Sequence, residues 1–226
     1  MKTTKLKPVV LKILRIAPLA LAGVLITVFV VKNGPSAISV LVERSSEKPW
    51  LTLFAFMALF LLKSVSFGLP FAVLYIGVGS VYPLGWAIII NIVGIVINMQ
   101  IPYFLGRHMG NSYVQRLIAR YPTLYRFESF SKRSSLLFSF SIKFIGKIPH
   151  EITNTLLGSL KIPYISYIVG GILGLAPTMV ATTMVGNNIT EPGSPAFILS
   201  LVAIITLTII SFVLFRRFDR SYPEKT

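Results

Sequence analysis

The residues best suited to chemistry lie in one short stretch, KFIGKIPHEITN, at positions 143–154. It places two lysines, a histidine, a glutamate and an asparagine between long apolar segments. Lys143 and Lys147 are four residues apart, so they share one face if the stretch is helical, and Glu151 follows four residues later. Two cations and one anion leave a net positive charge, which suits a phosphate group. The alternative is that both lysines extend to the membrane surface.

The other polar residues of this stretch have less specific patterns. His150 either titrates near neutral pH or only forms a hydrogen bond. Asn154 either donates to a ligand or caps the returning helix, and capping is favoured. Gly146 and Pro149 are expected to form a turn. Since the sequence from His150 reads H-E-x-x-N rather than H-E-x-x-H, we expect no metal site.

Two further basic residues end apolar segments elsewhere. Lys63 ends the run 50–63 and is followed by Gly68 and Pro70, which are expected to form a second turn. Lys63 joins the binding site if that turn lies at mid-depth in the membrane, and otherwise anchors the chain at the interface. Arg107 ends a third apolar run, where a cytoplasmic anchor is favoured over a direct role.

The composition requires a membrane to position these residues. Of 226 residues, 54% are hydrophobic and 13% are charged, against roughly 25% charged in soluble domains. The net charge of +15 would suggest nucleic acid in a soluble protein, but here the basic residues cluster between apolar runs, so we expect no nucleic-acid partner. The absence of cysteine excludes disulfides, thiolate catalysis and cysteine-ligated metals.

Apolar runs divide into continuous and broken segments. The broken segments, 50–85 and 134–162, contain glycine, proline and lysine; the second has 29 residues, whereas two full crossings need about 40. We therefore interpret the second as a re-entrant hairpin, and the first as either re-entrant or fully spanning. The continuous runs, predicted as full spans, are 9–31 (a cleaved signal peptide being the less favoured alternative), 86–106, 163–186 and 195–215.

The distribution of lysine and arginine predicts the topology. Basic residues are concentrated before residue 16, in 107–133 and in the tail, whereas 32–49 and 187–194 carry few. The positive-inside rule then places both termini in the cytoplasm, and the hairpins enter from opposite faces. We expect an all-α polytopic membrane protein with two opposed re-entrant hairpins and about four full transmembrane helices, arranged as an inverted repeat. The predicted divisions are an N-terminal helix and external loop (1–49), the hairpin core (50–190), and a C-terminal helix and basic tail (191–226).

Three segments carry a resemblance to a known family. They are GLPFAVLYIGVGSVYPLGW, INMQIPYFLGRHMG and KFIGKIPHEITNTLLGSLKIPYISYIVGGILGLAPTM. In order and spacing, these resemble the DedA/VTT-domain membrane proteins, also called SNARE-associated Golgi proteins, over roughly residues 50–190. Many bacterial members carry acidic residues near the first hairpin and arginines in the second; here Lys63 stands in the first, and Lys143 and Lys147 in the second. Glu151 is the one remaining candidate for a proton-coupling carboxylate.

The resemblance implies lipid transport, as a scramblase or a flippase, rather than an enzyme. The ligand would be an anionic phospholipid or an isoprenoid phosphate bound in a polar cavity between the hairpins, without a cofactor. The alternatives are a scaffold acting through its basic cytoplasmic loop and an ion-coupled small-molecule transporter. We expect a bacterial plasma membrane location, and homo-oligomerisation stays open.

Overall fold

The computed structural model of the chain describes residues 43, 47–65, 69–109, 134–146 and 148–220. Over these residues it contains seven α-helices and no β-strand, which confirms the all-α class. The helices are α1 (Pro49–Lys63), α2 (Phe71–Val81), α3 (Leu84–Met109), α4 (Ser135–Ile145), α5 (His150–Ser159), α6 (Tyr164–Asn187) and α7 (Pro195–Arg220).

Three of the described helices, α3, α6 and α7, are long and apolar enough to cross a membrane. The 24 residues of α6 extend about 36 Å at 1.5 Å per residue, which exceeds the roughly 30 Å of a hydrocarbon core. The predicted spans 86–106, 163–186 and 195–215 correspond to these three helices. The predicted span 9–31 lies outside the described residues. The chain is therefore an integral membrane protein.

Each broken segment forms a pair of short helices. The four helices α1, α2, α4 and α5 have 15, 11, 11 and 10 residues, so each is shorter than the hydrocarbon core. Gly146 ends α4 in the left-handed conformation, with φ of 61°, and Pro149 immediately precedes α5. Gly146 and Pro149, which are expected to form a turn, therefore lie between the two helices of the second pair. In the first pair, Pro70 immediately precedes α2, and Gly68 lies outside the described residues.

The fold has two halves, α1–α3 and α4–α6, and each half packs its second short helix against the other half. Within each half, the first short helix packs on the long helix that follows: α1 lies on α3, and α4 on α6. The second short helix instead packs on the long helix of the other half, so that α2 lies on α6 and α5 lies on α3. Neither half can therefore bury its own helix faces without the other.

Glycines permit both of these exchanged contacts at matching positions. A Cβ on Gly79 of α2 would overlap the backbone of Thr183, and one on Gly158 of α5 would overlap the backbone of Tyr103. Reciprocal contacts follow on the long helices, where Gly186 faces Ile76 and Gly106 faces Thr155. Matching positions in the two halves are 79 or 80 residues apart, which shows an internal structural repeat. The matched pairs are Gly79 and Gly158, Ile76 and Thr155, Tyr103 and Thr183, and Gly106 and Gly186.

Small residues also bring α4 close to α6. A Cβ on Gly170 would lie 2.6 Å from the Leu136 carbonyl oxygen, and one on Gly174 would lie 2.6 Å from the Phe140 carbonyl oxygen. These distances are well inside van der Waals contact, so only glycine fits. The glycines of this helix therefore serve core packing, as their small-residue spacing predicts.

Candidate functional site

In each half, a buried lysine lies at the end of the first short helix. Lys63 is the last residue of α1, and Lys143 lies in the last turn of α4. They are 80 positions apart, the separation of the repeat, and their relative exposures are only 4% and 2%. Ser211 of α7 donates to the carbonyl oxygens of Phe144 and Ile145, at 3.2 and 3.0 Å, and so satisfies the open end of α4. Both lysine ammonium groups reach the same helix, α5.

Lys63 forms an ion pair with Glu151 in the first turn of α5. Its Nζ donates to Oε1 of Glu151 at 2.6 Å, and the two side chains are 5% and 6% exposed. The ring of Phe71 lies against the same ammonium group, 4.4 Å from Nζ to the ring centroid. This cation–π contact adds a further favourable interaction at a buried charge. The pair joins α1 of the first half to α5 of the second.

Lys143 binds neutral acceptors on the same helix. Its Nζ donates to Oγ1 of Thr153 at 2.8 Å and to Oδ1 of Asn154. A longer bond of 3.4 Å runs to the carbonyl oxygen of His150, which also accepts from Oγ1 of Thr153 at 3.0 Å. All three acceptors are uncharged, so the charge of this buried lysine is solvated by dipoles.

Two nitrogen atoms beside these lysines have no hydrogen-bond partner among the described residues. They are Nδ2 of Asn154 and Nδ1 of His150, and both atoms are buried. Because Oδ1 of Asn154 accepts from an ammonium group, its Nδ2 must be the amide donor. An unpaired buried donor costs free energy, so this group favours an incoming acceptor.

The described side chains of this lysine cluster (Lys63, Lys143, His150, Glu151, Thr153 and Asn154) include two cations and one carboxylate. The cluster is closed to solvent, since both lysines and Glu151 are buried. Buried charges are costly in a membrane protein and commonly mark functional sites. The arrangement is suited to binding an anion through two ammonium groups and one spare amide donor.

Comparison with known proteins identifies the family. The family model described as "VTT domain" matches residues 69–188, just over half of the chain. The chain belongs to the VTT domain family. The predicted resemblance to the DedA/VTT-domain proteins is therefore confirmed.

Among curated proteins, this VTT domain protein is similar to "Uncharacterized protein YqeD" of Bacillus subtilis (strain 168). The two are 22% identical over 122 residues, which cover 54% of this chain and 59% of YqeD. The chain thus spans less than two thirds of the length of this relative. No solved structure matches the chain.

The matched VTT range contains α2 to α6 and hence most of the lysine cluster. It includes Lys143 and the whole of α5, whereas Lys63 on α1 precedes it. The structure brings five of the predicted residues together around α5: Lys63 contacts Glu151, and Lys143 contacts His150 and Asn154. Lys147 lies outside the described residues.

The structure gives partners to Glu151 and Asn154. Glu151 pairs with Lys63 of the other half. The predicted helical spacing between Lys147 and Glu151 involves a residue outside the described part of the chain. Asn154 was expected to cap the returning helix, but it lies inside α5 and accepts from Lys143, while Pro149 occupies the N-cap without a side-chain hydrogen bond.

Arg107 lies away from the lysine cluster of the VTT domain. Its side chain is exposed near the end of α3, where Nη1 donates to the hydroxyl of Tyr103 at 2.9 Å. That hydroxyl in turn donates to the carbonyl oxygen of Ile162 at 2.6 Å. Arg107 therefore supports the packing between α3 and the residues that follow α5.

Sequence reasoning missed two members of the site. Thr153 and Asn154 follow His150 by three and four residues on α5, so helical spacing alone would have placed both of them one turn beyond His150. Phe71 occupies the position in α2 that matches His150 in α5, and their ring centroids are 5.2 Å apart. The 79-residue offset between them was the signal available in the sequence. Among the described residues, no group of three or more His, Cys, Asp or Glu side chains could hold a metal ion.

Proposed function

We propose that this VTT protein moves lipids with anionic headgroups, anionic phospholipid or isoprenoid phosphate, across the bilayer. The observation that carries the proposal is the pair of buried lysines, one from each half, that converge on α5 beside an unpaired amide donor. A phosphate group is a strong acceptor for ammonium and amide donors. The resemblance of the family to lipid scramblases and flippases supports the same conclusion.

The short helix pairs provide the route in this proposal. Each pair dips into the membrane from one face, so α1–α2 enters from outside and α4–α5 from the cytoplasm. Their tips meet at mid-depth, where irregular backbone needs surrounding protein or water. The short lengths of the four helices and the burial of Lys63 and Lys143 at their ends support this placement.

Transport requires the site to open. Since Lys63, Lys143 and Glu151 are buried here, we assign this structure to a closed state. The headgroup then reaches the ammonium groups when the two helix pairs separate, and the acyl chains stay in the surrounding lipid. An open site facing each side in turn would pass the headgroup across without exposing it to hydrocarbon.

Purified protein in liposomes tests the proposal. The assay measures movement of fluorescent phosphatidylglycerol between leaflets for the unmodified protein, Lys143→Ala and the control Lys48→Ala. Lys48 is an exposed lysine at the start of α1, outside the cluster. Loss of a charged hydrogen bond costs about 1.5–3 kcal/mol, so we expect transport by Lys143→Ala to fall at least about tenfold. Equal rates in all three proteins would refute the site, and no transport by the unmodified protein would refute the function.

A further inference from the structure

The carboxylate of Glu151 lies where an anionic ligand should bind. It is held by Nζ of Lys63 at 2.6 Å, in a contact that leaves both groups buried. We propose that Glu151 is a tethered competitor of the ligand, which holds Lys63 in the closed protein and is displaced by the incoming headgroup. This inference rests on the proposed function of the lysine cluster.

The two lysines differ in a way that assigns this role to one side chain. Lys143 is bonded to a hydroxyl, an amide and a carbonyl oxygen, so a ligand can replace these neutral acceptors without separating an ion pair. Lys63 is bonded to a full negative charge. A ligand that uses both lysines must therefore compete with Glu151 and with no other charged group of the described cluster.

The internal repeat shows that this carboxylate is unmatched. The position in α2 that corresponds to Glu151 is Ala72, and the position that corresponds to Asn154 is Tyr75. One half thus supplies the acid and the amide, whereas both halves supply a lysine. An arrangement that served only to neutralise the lysines would need a second carboxylate, and none of the described residues beside Lys143 provides one.

The competitor also determines which ligand charge is favoured. After displacement Glu151 remains attached to α5, so the ligand meets both ammonium groups and a nearby carboxylate. A phosphodiester headgroup carries one negative charge, whereas a phosphomonoester carries about 1.5 to 2. Repulsion from the carboxylate grows with ligand charge, so Glu151 should disfavour phosphomonoesters relative to phosphodiesters.

Binding to the purified full-length protein in neutral detergent tests the inference. The probes are dihexanoyl phosphatidylglycerol, dihexanoyl phosphatidic acid and inorganic phosphate, titrated calorimetrically. We expect Glu151→Gln to bind the phosphatidylglycerol probe at least threefold more tightly than the unmodified protein. The phosphatidic acid probe should gain at least tenfold. Inorganic phosphate distinguishes a lipid headgroup from free phosphate as the ligand. If Glu151→Gln gains as much affinity for inorganic phosphate as for the phosphatidic acid probe, the phosphate group itself is the competing anion.

Two control variants keep the test decisive. Glu191→Gln removes an exposed acidic residue from the connection before α7 and should leave all affinities unchanged. Glu151→Asp retains the carboxylate on a shorter side chain. Because this side chain holds Lys63 less closely, the variant should bind the lipid probes more tightly. Because the negative charge is retained, the preference between the two lipid probes should stay near that of the unmodified protein. This variant also serves if Glu151→Gln fails to fold.

The outcomes distinguish this inference from the proposed function. If the unmodified protein binds the lipid probes and Glu151→Gln binds them equally or less tightly, the competitor role is wrong and the proposed function stands. If neither protein binds any probe, both are overturned.

Discussion

The buried ion pair between Lys63 and Glu151 predicts a strong coupling in stability. Lys63→Met leaves the Glu151 carboxylate buried without its cation, and Glu151→Gln leaves the ammonium group without its anion. Removal of one partner from a buried pair costs about 3–5 kcal/mol, because the uncompensated charge stays out of water. The combined variant has no buried charge at this pair. It should therefore be more stable than either single variant, with a coupling energy of at least about 2 kcal/mol.

Thermal unfolding in detergent measures this coupling. For a chain of this size, 1 kcal/mol corresponds to about 2–4 °C in Tm, so each single variant should unfold roughly 6–20 °C below the unmodified protein. Lys48→Met is the matched control, because Lys48 is exposed and lies outside the lysine cluster. This substitution should shift Tm by less than about 2 °C. Additive losses in the double variant would show that the two side chains are energetically independent, and the reasoning from their contact would fail.

Two other predictions concern packing and topology. Gly158→Ala should destabilise the protein by about 1–3 kcal/mol or more, because the added Cβ meets the backbone of α3. Gly85 has open space around it, so the control Gly85→Ala should be neutral or stabilising by up to about 1 kcal/mol. Thermal unfolding of both variants measures the difference. Since the chain has no cysteine, Lys48→Cys and Arg216→Cys can be labelled with an impermeant maleimide on intact cells. We expect Lys48→Cys to react from outside and Arg216→Cys only after permeabilisation, and reaction of both from one side would contradict the proposed topology.

The long helices and the positions of the turns could be predicted from the sequence because they depend on local patterns. Uninterrupted apolar runs give helices such as α6, and Gly146 and Pro149 end and begin helices through their own backbone preferences. The first and second broken segments were correctly separated from the continuous runs for the same reason. Their depth in the membrane depends on surroundings that the residues themselves do not encode locally.

The partners of the charged residues could not be obtained from local spacing. A continuous helix through Lys143 and Glu151 would have placed them on one face, but Gly146 adopts the left-handed conformation and ends α4 between them. Glu151 consequently meets Lys63, which is 88 residues away. Such a contact follows from the exchange of short helices between the halves, which becomes visible in the sequence only when positions 79 or 80 apart are compared.

The exchange of α2 onto α6 has a consequence for biosynthesis. About 100 residues separate the end of α2 from the end of α6, and translation proceeds at roughly 5–20 residues per second. For about 5–20 s after its synthesis, α2 therefore has no completed docking surface, and the side that carries Gly79 stays uncovered during insertion. The close contact between Gly79 of α2 and Thr183 of α6 therefore cannot form until most of α6 has been synthesised.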